Sequence, residues 1–347
     1  MASQNTNLAC TPFAEAIKVE RLDSHIYRVN LVKDFCIGAV PNGGYTASCI
    51  LSAGSLHLTS RNQPDAFTAH FEYPGRTVPG AATITVEDVK LGSQLSTLHL
   101  TLWQGGLLSE APWIDPKVSR RTVLAYATLT DQSAFSGITL ETGWEVSPAA
   151  ALPSPLPDFA ALTKSKGGDG FWEEQTAPPD VTFRSLHNWR FFLPRGGPLE
   201  PGVVDMWVCR SNRERVTQAG LPYVVDSFPF NLHTYTISPE LRALLEAPRD
   251  GSGGAKVEDA HQKHEQRAGL WFPTIVLNLE VKKAIPEEGL EWFAVRVQSK
   301  LIKDGKFDTD VMVRDKDGEV VALSQQVGMV VSMERNKAKR SFAKPAL

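Results

Sequence analysis

Residues 43–58 read GGYTASCILSAGSLHL, and the fold turns on what this stretch forms. Ala47, Ile50, Leu51, Gly54 and Leu58 recur at the 3.6-residue spacing that puts them on one helical face. The preceding Pro41-Asn42-Gly43-Gly44 marks a helix start. The spacing therefore predicts a helix over 43–58. Its small residues suit close packing against a sheet.

Strands follow on the C-terminal side. Residues 67–73 read as one and 82–89 as another, with Ile84 and Val86 alternating against Thr83 and Thr85. Residues 95–103 show the same period, Leu98, Leu100 and Leu102 against Thr97, His99 and Thr101. That is a half-buried antiparallel strand. Residues 121–130 form a last strand of this set.

Residues 141–182 change character. Pro148, Pro153, Pro155, Pro157, Pro178 and Pro179 fall here with Gly167-Gly168, which predicts a linker unable to pair in a sheet. A second set of elements follows. Residues 203–210 read as a strand. A helix is expected to start near Asp226-Ser227-Phe228-Pro229, where Asp or Ser can cap and Pro suits the first turn. Residues 246–268 are polar and Gly-rich, which predicts a loop. Strands are expected at 272–283, 291–302, 308–314 and 320–332, with hairpin turns at Asp304-Gly305 and Asp317-Gly318.

The two sets share one order: a lead-in strand, a helix, then several antiparallel strands. Three pairs mark the parallel, Thr68 with Thr274, Gly92 with Gly305 and Ala125 with Ala322, at offsets of 206, 213 and 197 residues. These offsets suggest an internal duplication with loops of unequal length. A chain of 347 residues has room for two domains. The fold class expected is α+β, a double hotdog, in which each long helix is wrapped by an antiparallel sheet. Its parts are an N-terminal hotdog domain over 13–140, the linker over 141–182, a C-terminal hotdog domain over 183–335 and a tail over 336–347.

Composition narrows the function classes. Hydrophobic residues make up 42 % and charged residues 22 %, as in ordinary globular proteins. A net charge of −3 supplies no broad positive field for a phosphate backbone, so no nucleic-acid partner is expected. The basic run from Arg335 to Arg340 reads as a solvated tail. Four sparse cysteines, Cys10, Cys36, Cys49 and Cys209, without a C-x-x-C pair, point to reduced thiols and a cytoplasmic site. The polar start MASQNTNLACTPF has no apolar signal core, and no run approaches 18 apolar residues, so no membrane partner is expected.

The order of several motifs is where a family resemblance becomes specific. Asn42-Gly43-Gly44-Tyr45, opening a helix of small residues, resembles the first helix of the acyl-CoA thioesterase II family. Residues 69–75, AHFEYPG, are similar to its His-x-Phe-x-x-Pro-Gly strand. Residues 91–106, LGSQLSTLHLTLWQGG, resemble its Gly-rich turn and Ser/Thr-rich strand. Asp226 sits in a Tyr-x-x-Asp pattern similar to the family's Tyr-x-Ser-Asp. Residues 272–283, FPTIVLNLEVKK, and 318–331, GEVVALSQQVGMVV, resemble its last strands. The likeness covers most of residues 13–335, and the fungal thioesterase-like members resemble the chain around PTIVLNLEVKK.

The resemblance implies an acyl thioester hydrolase acting on acyl-CoA or a carrier-bound acyl or polyketide group, with no cofactor and no metal. It places the family's water-holding Asp, Thr and Gln at Asp226, Thr274 and Gln326. A positioned carboxylate can orient the water and accept its proton, while Thr and Gln hold it through neutral hydrogen bonds. Substrate contacts are expected at Gly43, Gly44 and Tyr45, whose backbone N–H groups at a helix start can bind an oxyanion, and at His70. Pairing of the double unit into a homodimer is a further implication. Three positions depart from the family: Val276 and Leu277 replace an Asp-His pair after the Thr, and Val327 replaces an acidic residue after the Gln.

Taken residue by residue, alternatives stay open. Asp226 can be an N-cap of its own helix, Thr274 a plain strand residue, and His70 a structural histidine. A one-residue slip would select Gln325 over Gln326. Asp226, Asn231 and His233 together suggest a dehydratase, isomerase or cyclase instead, and the altered surroundings of the water site suggest a non-catalytic acyl-binding protein. His261 and His264 read as a solvated loop rather than a metal site. No G-x-S-x-G elbow or phosphate-binding glycine loop is present.

Overall fold

The computed structural model describes residues 11–149, 155–164, 167–175, 181–198, 200–229, 231–232 and 269–337. A short helix α1 (Phe13–Ala16), strands β1 (Glu20–Asp23) and β2 (Ile26–Leu31), and a small hairpin of β3 (Cys36–Ile37) and β4 (Val40–Pro41) lead into α2 (Gly43–His57). Asn42 starts that helix, its Oδ1 accepting the N–H of Tyr45 at 2.9 Å. The helix expected at 43–58 is thus present. It is not amphipathic, however: every residue from Gly44 to Leu51 is buried. The sheet covers one side and the second half of the chain the other, so polar residues are enclosed too. Ser48 donates to Gly44 O and Thr46 to Gly43 O, which satisfies both hydroxyls inside the helix.

Strands β5 (Asp65–Glu72), β6 (Gly80–Leu91), β7 (Ser96–Gln104) and β8 (Arg120–Thr130) wrap α2. The second half begins with α3 (Phe159–Lys164), β9 (Trp172–Gln175), α4 (Arg184–His187), β10 (Trp189–Pro194), β11 (Val203–Arg210) and α5 (Leu221–Val225). It continues with β12 (Leu270–Trp271), β13 (Thr274–Val281), β14 (Trp292–Gln298), β15 (Ile302–Lys303), β16 (Lys306–Arg314), β17 (Val320–Met329), β18 (Val331–Ser332) and α6 (Met333–Lys337). Asp304 and Gly305 both carry positive φ, 53° and 70°, between Lys303 and Lys306, which pair directly. That is the tight hairpin turn predicted there.

Most strands join one antiparallel sheet in the order β1-β2-β6-β7-β8-β5-β13-β17-β16-β14-β11-β10-β9. Read outward from the β5–β13 junction, the two halves repeat: β5 answers β13, β8 answers β17, β7 answers β16, and β6 answers β14. Two of the marker pairs of the sequence fall on equivalent strands, though not at the same register. Thr68 and Thr274 lie on β5 and β13, and Ala125 and Ala322 on β8 and β17. This is a double hotdog of the α+β class.

Two sequence expectations are corrected. The segment 141–182 does not merely connect, because β9 pairs with β10, Phe191 opposite Gln175 through Pro194 opposite Trp172. Leu162 and Trp172 pack with Phe192, Trp207, Cys209 and Trp292 in a second apolar cluster. β11 is therefore buried on both faces, with Val204, Met206 and Val208 in the main core and Trp207 and Cys209 under this cover. The proline count hid four residues, WEEQ, that are free to donate to a neighbour.

The second correction concerns Asp226. It does not start a helix; it follows the last turn of α5, and its N–H donates to Pro222 O at 3.1 Å. Asn231 and Leu232 are helical, but the rest of the helix expected there, with the loop at 246–268, lies outside the described residues.

Candidate functional site

The N-terminus of α2 meets the C-terminus of α5 because neither side presents bulk. A methyl group on Gly44 would lie 2.1 Å from Pro222 O and 2.7 Å from the Asp226 Cβ. Glycine at position 44 therefore permits the approach that brings the Asp226 carboxylate to the helix end.

There the carboxylate is held from both halves of the chain. Its Oδ2 accepts the Gly44 N–H at 2.7 Å, and its Oδ1 accepts the Thr274 hydroxyl at 2.7 Å. Asn42 Nδ2 donates to the Asp226 carbonyl at 3.1 Å. Asp226 does cap a helix, but the helix is α2 of the other half rather than its own. Burial pushes its carboxyl up to about 6, against the hydrogen bonds from Thr274, Gly44 and Asn42 that pull it down.

The bulge in β13 aims Thr274 inward. The register against β17 shifts between Thr274 and Val276, so Thr274 shares the core side with Leu277 and Leu279. Gln326 lies on β17 and is buried, whereas Gln325 is exposed. Gln326 Nε2 donates to Val225 O at 3.0 Å, the residue just before Asp226. The structure thus brings Asp226, Thr274, Gln326, Gly43 and Gly44 to one place, and turns Gln325 to the outer face.

Tyr45 and His70 are not brought to it. The Tyr45 ring is fully buried, its hydroxyl donating to Ala16 O and accepting from Val32 N–H. Tyr45 is a core residue, and burial holds its hydroxyl well above the usual phenol range. His70 lies on the outer face of β5, between the inward Ala69 and Phe71, with Nδ1 2.7 Å from Asn278 Oδ1. It joins the two halves across the β5–β13 pairing.

The oxyanion reading changes as well. The Gly44 N–H serves Asp226 and the Tyr45 N–H serves Asn42. Of the three amides, that of Gly43 alone is left without a partner among the described residues. Two neighbours escaped the sequence reading. Asn42 holds both the helix and Asp226, and Tyr73 donates its hydroxyl to Gly43 O at 2.9 Å beside the carboxylate. Both stand inside the quoted motifs, NGGY and EYPG, so their positions were visible but their contact with Asp226 was not. His233 of the alternative reading, and His261 and His264, lie outside the described residues. Asn231 Nδ2 donates to Ser299 Oγ at 2.7 Å.

The model of the acyl-CoA thioesterase N-terminal domain matches residues 31–130, and that of the acyl-CoA thioesterase C-terminal domain matches residues 160–330. The chain is 57 % identical to the thioesterase-like protein TwmA of Talaromyces wortmannii over 348 residues, covering 100 % of this chain and 99 % of that one. It is 29 % identical over 164 residues to the ustilagic acid biosynthesis cluster protein orf2 of Mycosarcoma maydis, 42 % of this chain and 41 % of that one. Among solved structures, a protein with hot dog fold from Alicyclobacillus acidocaldarius superposes with a TM-score of 0.61 at 14 % identity, covering 92 % of this chain and 97 % of that one. The acyl-CoA thioesterase II TesB2 from Mycobacterium marinum superposes with a TM-score of 0.53 at 16 % identity, covering 92 % and 98 %.

Proposed function

This chain belongs to the acyl-CoA thioesterase family, whose members are thioester hydrolases, and from that premise we propose that it cleaves acyl groups from CoA or a carrier protein at Asp226. Water attacks the thioester carbonyl carbon. Asp226 takes the proton, and the tetrahedral intermediate expels the thiolate, which is then protonated. A base whose pKa lies near the working pH suits this role. Thr274 and Gln326 orient the water by neutral hydrogen bonds, and the Gly43 N–H at the positive end of α2 faces the developing oxyanion. No cofactor enters the scheme. Cys36, Cys49 and Cys209 are buried, with thiols pushed up to about 12, so none supplies a nucleophile.

The observation that carries this reading is the convergence of the Gly44 N–H and the Thr274 hydroxyl on the two oxygens of Asp226. The likeness to a protein of the ustilagic acid biosynthesis cluster favours a biosynthetic acyl or polyketide group as the substrate. The buried free thiols accord with a cytoplasmic enzyme, and pairing into a homodimer belongs to the same proposal.

The test is thiol release from acyl-CoAs of increasing chain length, with the Asp226→Asn variant beside the native chain. Release that depends on chain length and disappears in the variant is expected. Release that persists in Asp226→Asn removes the carboxylate from the chemistry. Absence of release from every acyl-CoA and from acylated carrier protein overturns the proposal.

A further inference from the structure

At the other end of α2 three side chains converge that the thioester site does not use. His25 lies in the β1–β2 turn, His57 is the last residue of α2, and Asp88 sits on β6. His57 Nε2 is 2.8 Å from Asp88 Oδ1, and His25 Nε2 is 3.2 Å from Asp88 Oδ2. The three ligand atoms all lie within 4.8 Å of one another, and no other such group occurs among the described residues. We propose that His25, His57 and Asp88 bind one zinc ion or a similar borderline divalent metal, with solvent in the fourth position.

The donor set selects the metal. Two imidazoles and one carboxylate suit zinc, cobalt or nickel, whereas magnesium and calcium prefer oxygen ligands throughout. Zinc bonds of about 2.0–2.1 Å in tetrahedral geometry put neighbouring ligand atoms about 3.3 Å apart. The two nitrogen–oxygen separations run to different oxygens of Asp88 and the ligand atoms spread to 4.8 Å, so both rings turn toward one carboxylate oxygen to admit the ion. The far nitrogens are held as well. His57 Nδ1 lies 3.0 Å from the Tyr27 hydroxyl and His25 Nδ1 lies 3.0 Å from Ser24 Oγ. When each Nε2 lone pair turns to the metal, the ring proton resides on Nδ1 and is donated to those oxygens, which fixes tautomer and ring plane.

The surroundings favour a cation. His57 ends α2, where the helix dipole is negative. Arg21 is the nearby positive charge, and its guanidinium is turned to the carbonyls of Asp23 and Ser24, clamping the turn that presents His25. His25 is half exposed and Asp88 partly so, which leaves an entry path. Gly44 and His57 stand 13 residues apart on α2, about 20 Å at the rise of a helix. The ion is therefore a staple between the β1–β2 turn, α2 and β6, remote from Asp226, and its presence does not depend on the thioesterase proposal.

The experiment uses the tag-free full chain, stripped with a chelator and titrated calorimetrically with zinc or cobalt alone. One equivalent bound, visible absorption bands of low-coordinate cobalt, a rise in melting temperature with zinc and none with magnesium are expected. Tyr27→Phe weakens zinc binding within the range of about 10–100-fold typical of losing an outer hydrogen-bond partner, and His25→Ala or Asp88→Asn weakens it further. His25→Ala alters a half-exposed side chain, so it keeps the fold and a fair comparison. Failure of the native chain to bind, or binding undiminished in both His25→Ala and Asp88→Asn, overturns the site.

Discussion

Asp226 is a carboxylic acid placed where ionisation is costly, and its titration follows from that placement. With a native pKa of about 6, the rate constant at limiting substrate falls about tenfold per unit below pH 6 as the base is protonated. Stability runs the other way. The unfolded chain releases this proton near the ordinary value of 3.8, while the native state holds it to about 6. Native protein binds more protons in that window, so this residue's contribution to stability declines as pH rises from about 4 to about 6 and stays lost above it. One pKa unit is worth about 1.4 kcal/mol, and partial exposure leaves about 2 kcal/mol of penalty. Asp226→Asn keeps both hydrogen bonds, Oδ1 accepting the Gly44 N–H and Nδ2 donating to Thr274. Urea titration at pH 5 and pH 8 is expected to show the variant gaining about 1 kcal/mol over the native chain between the two, since about half of the loss is already complete at pH 5. Equal differences at both pH values refute the raised pKa.

At the scale of elements, the site depends on how closely α2 and α5 approach. Gly44→Ala puts a methyl group against Pro222 O and the Asp226 Cβ, both inside contact distance. Overpacking of this kind costs about 1–3 kcal/mol, and a shift of about 1 Å in a catalytic group lowers turnover by about 100-fold. The same helix supplies the control. A methyl group on Gly54 meets only the side chains of Leu129, Leu100 and Leu98, at 3.5 Å or more. Gly54→Ala therefore gains about 0.5–1 kcal/mol from helix propensity. Thermal melts and thiol release for the pair check both signs; equal stability of the two variants would show that the close approach is not essential.

For the molecule as a whole, the sheet runs unbroken across β5 and β13, and one apolar core draws residues from Phe13 to Ala322. Arg210 illustrates the union. Its guanidinium is fully buried among the rings of Phe13 and Phe35 from the first half and Trp189 and Tyr223 from the second, 5.2 to 5.6 Å from each centroid. Calorimetry is expected to give one unfolding transition, with van't Hoff and calorimetric enthalpies equal. Two resolved transitions would show that the halves unfold independently.

Unlike β1, β2, β9 and β10, the helix from Gly43, the strands β5 to β8, β11, β13, β14, β16 and β17, and the order of the two sets were legible along the chain. Each is a local pattern: a 3.6-residue period with Asn42 before it, alternating Leu and Thr in β7, Asp-Gly at the β15–β16 turn. Asp226, Thr274 and Gln326 were reached through the family resemblance, and only packing distinguished Gln326 from Gln325, since one lies inside the sheet and one outside. What the sequence could not reveal depends on contacts between residues distant along the chain. The carboxylate of Asp226 caps α2 through Gly44, 182 residues earlier in the chain. A stretch of prolines carries a strand because the residues between them still have N–H groups to donate. His25, His57 and Asp88 share no spacing, since three separate elements carry them. Local periodicity determines which elements form. Long-range packing determines which side chains meet, because burial and hydrogen bonding act through space and sequence distance does not measure space.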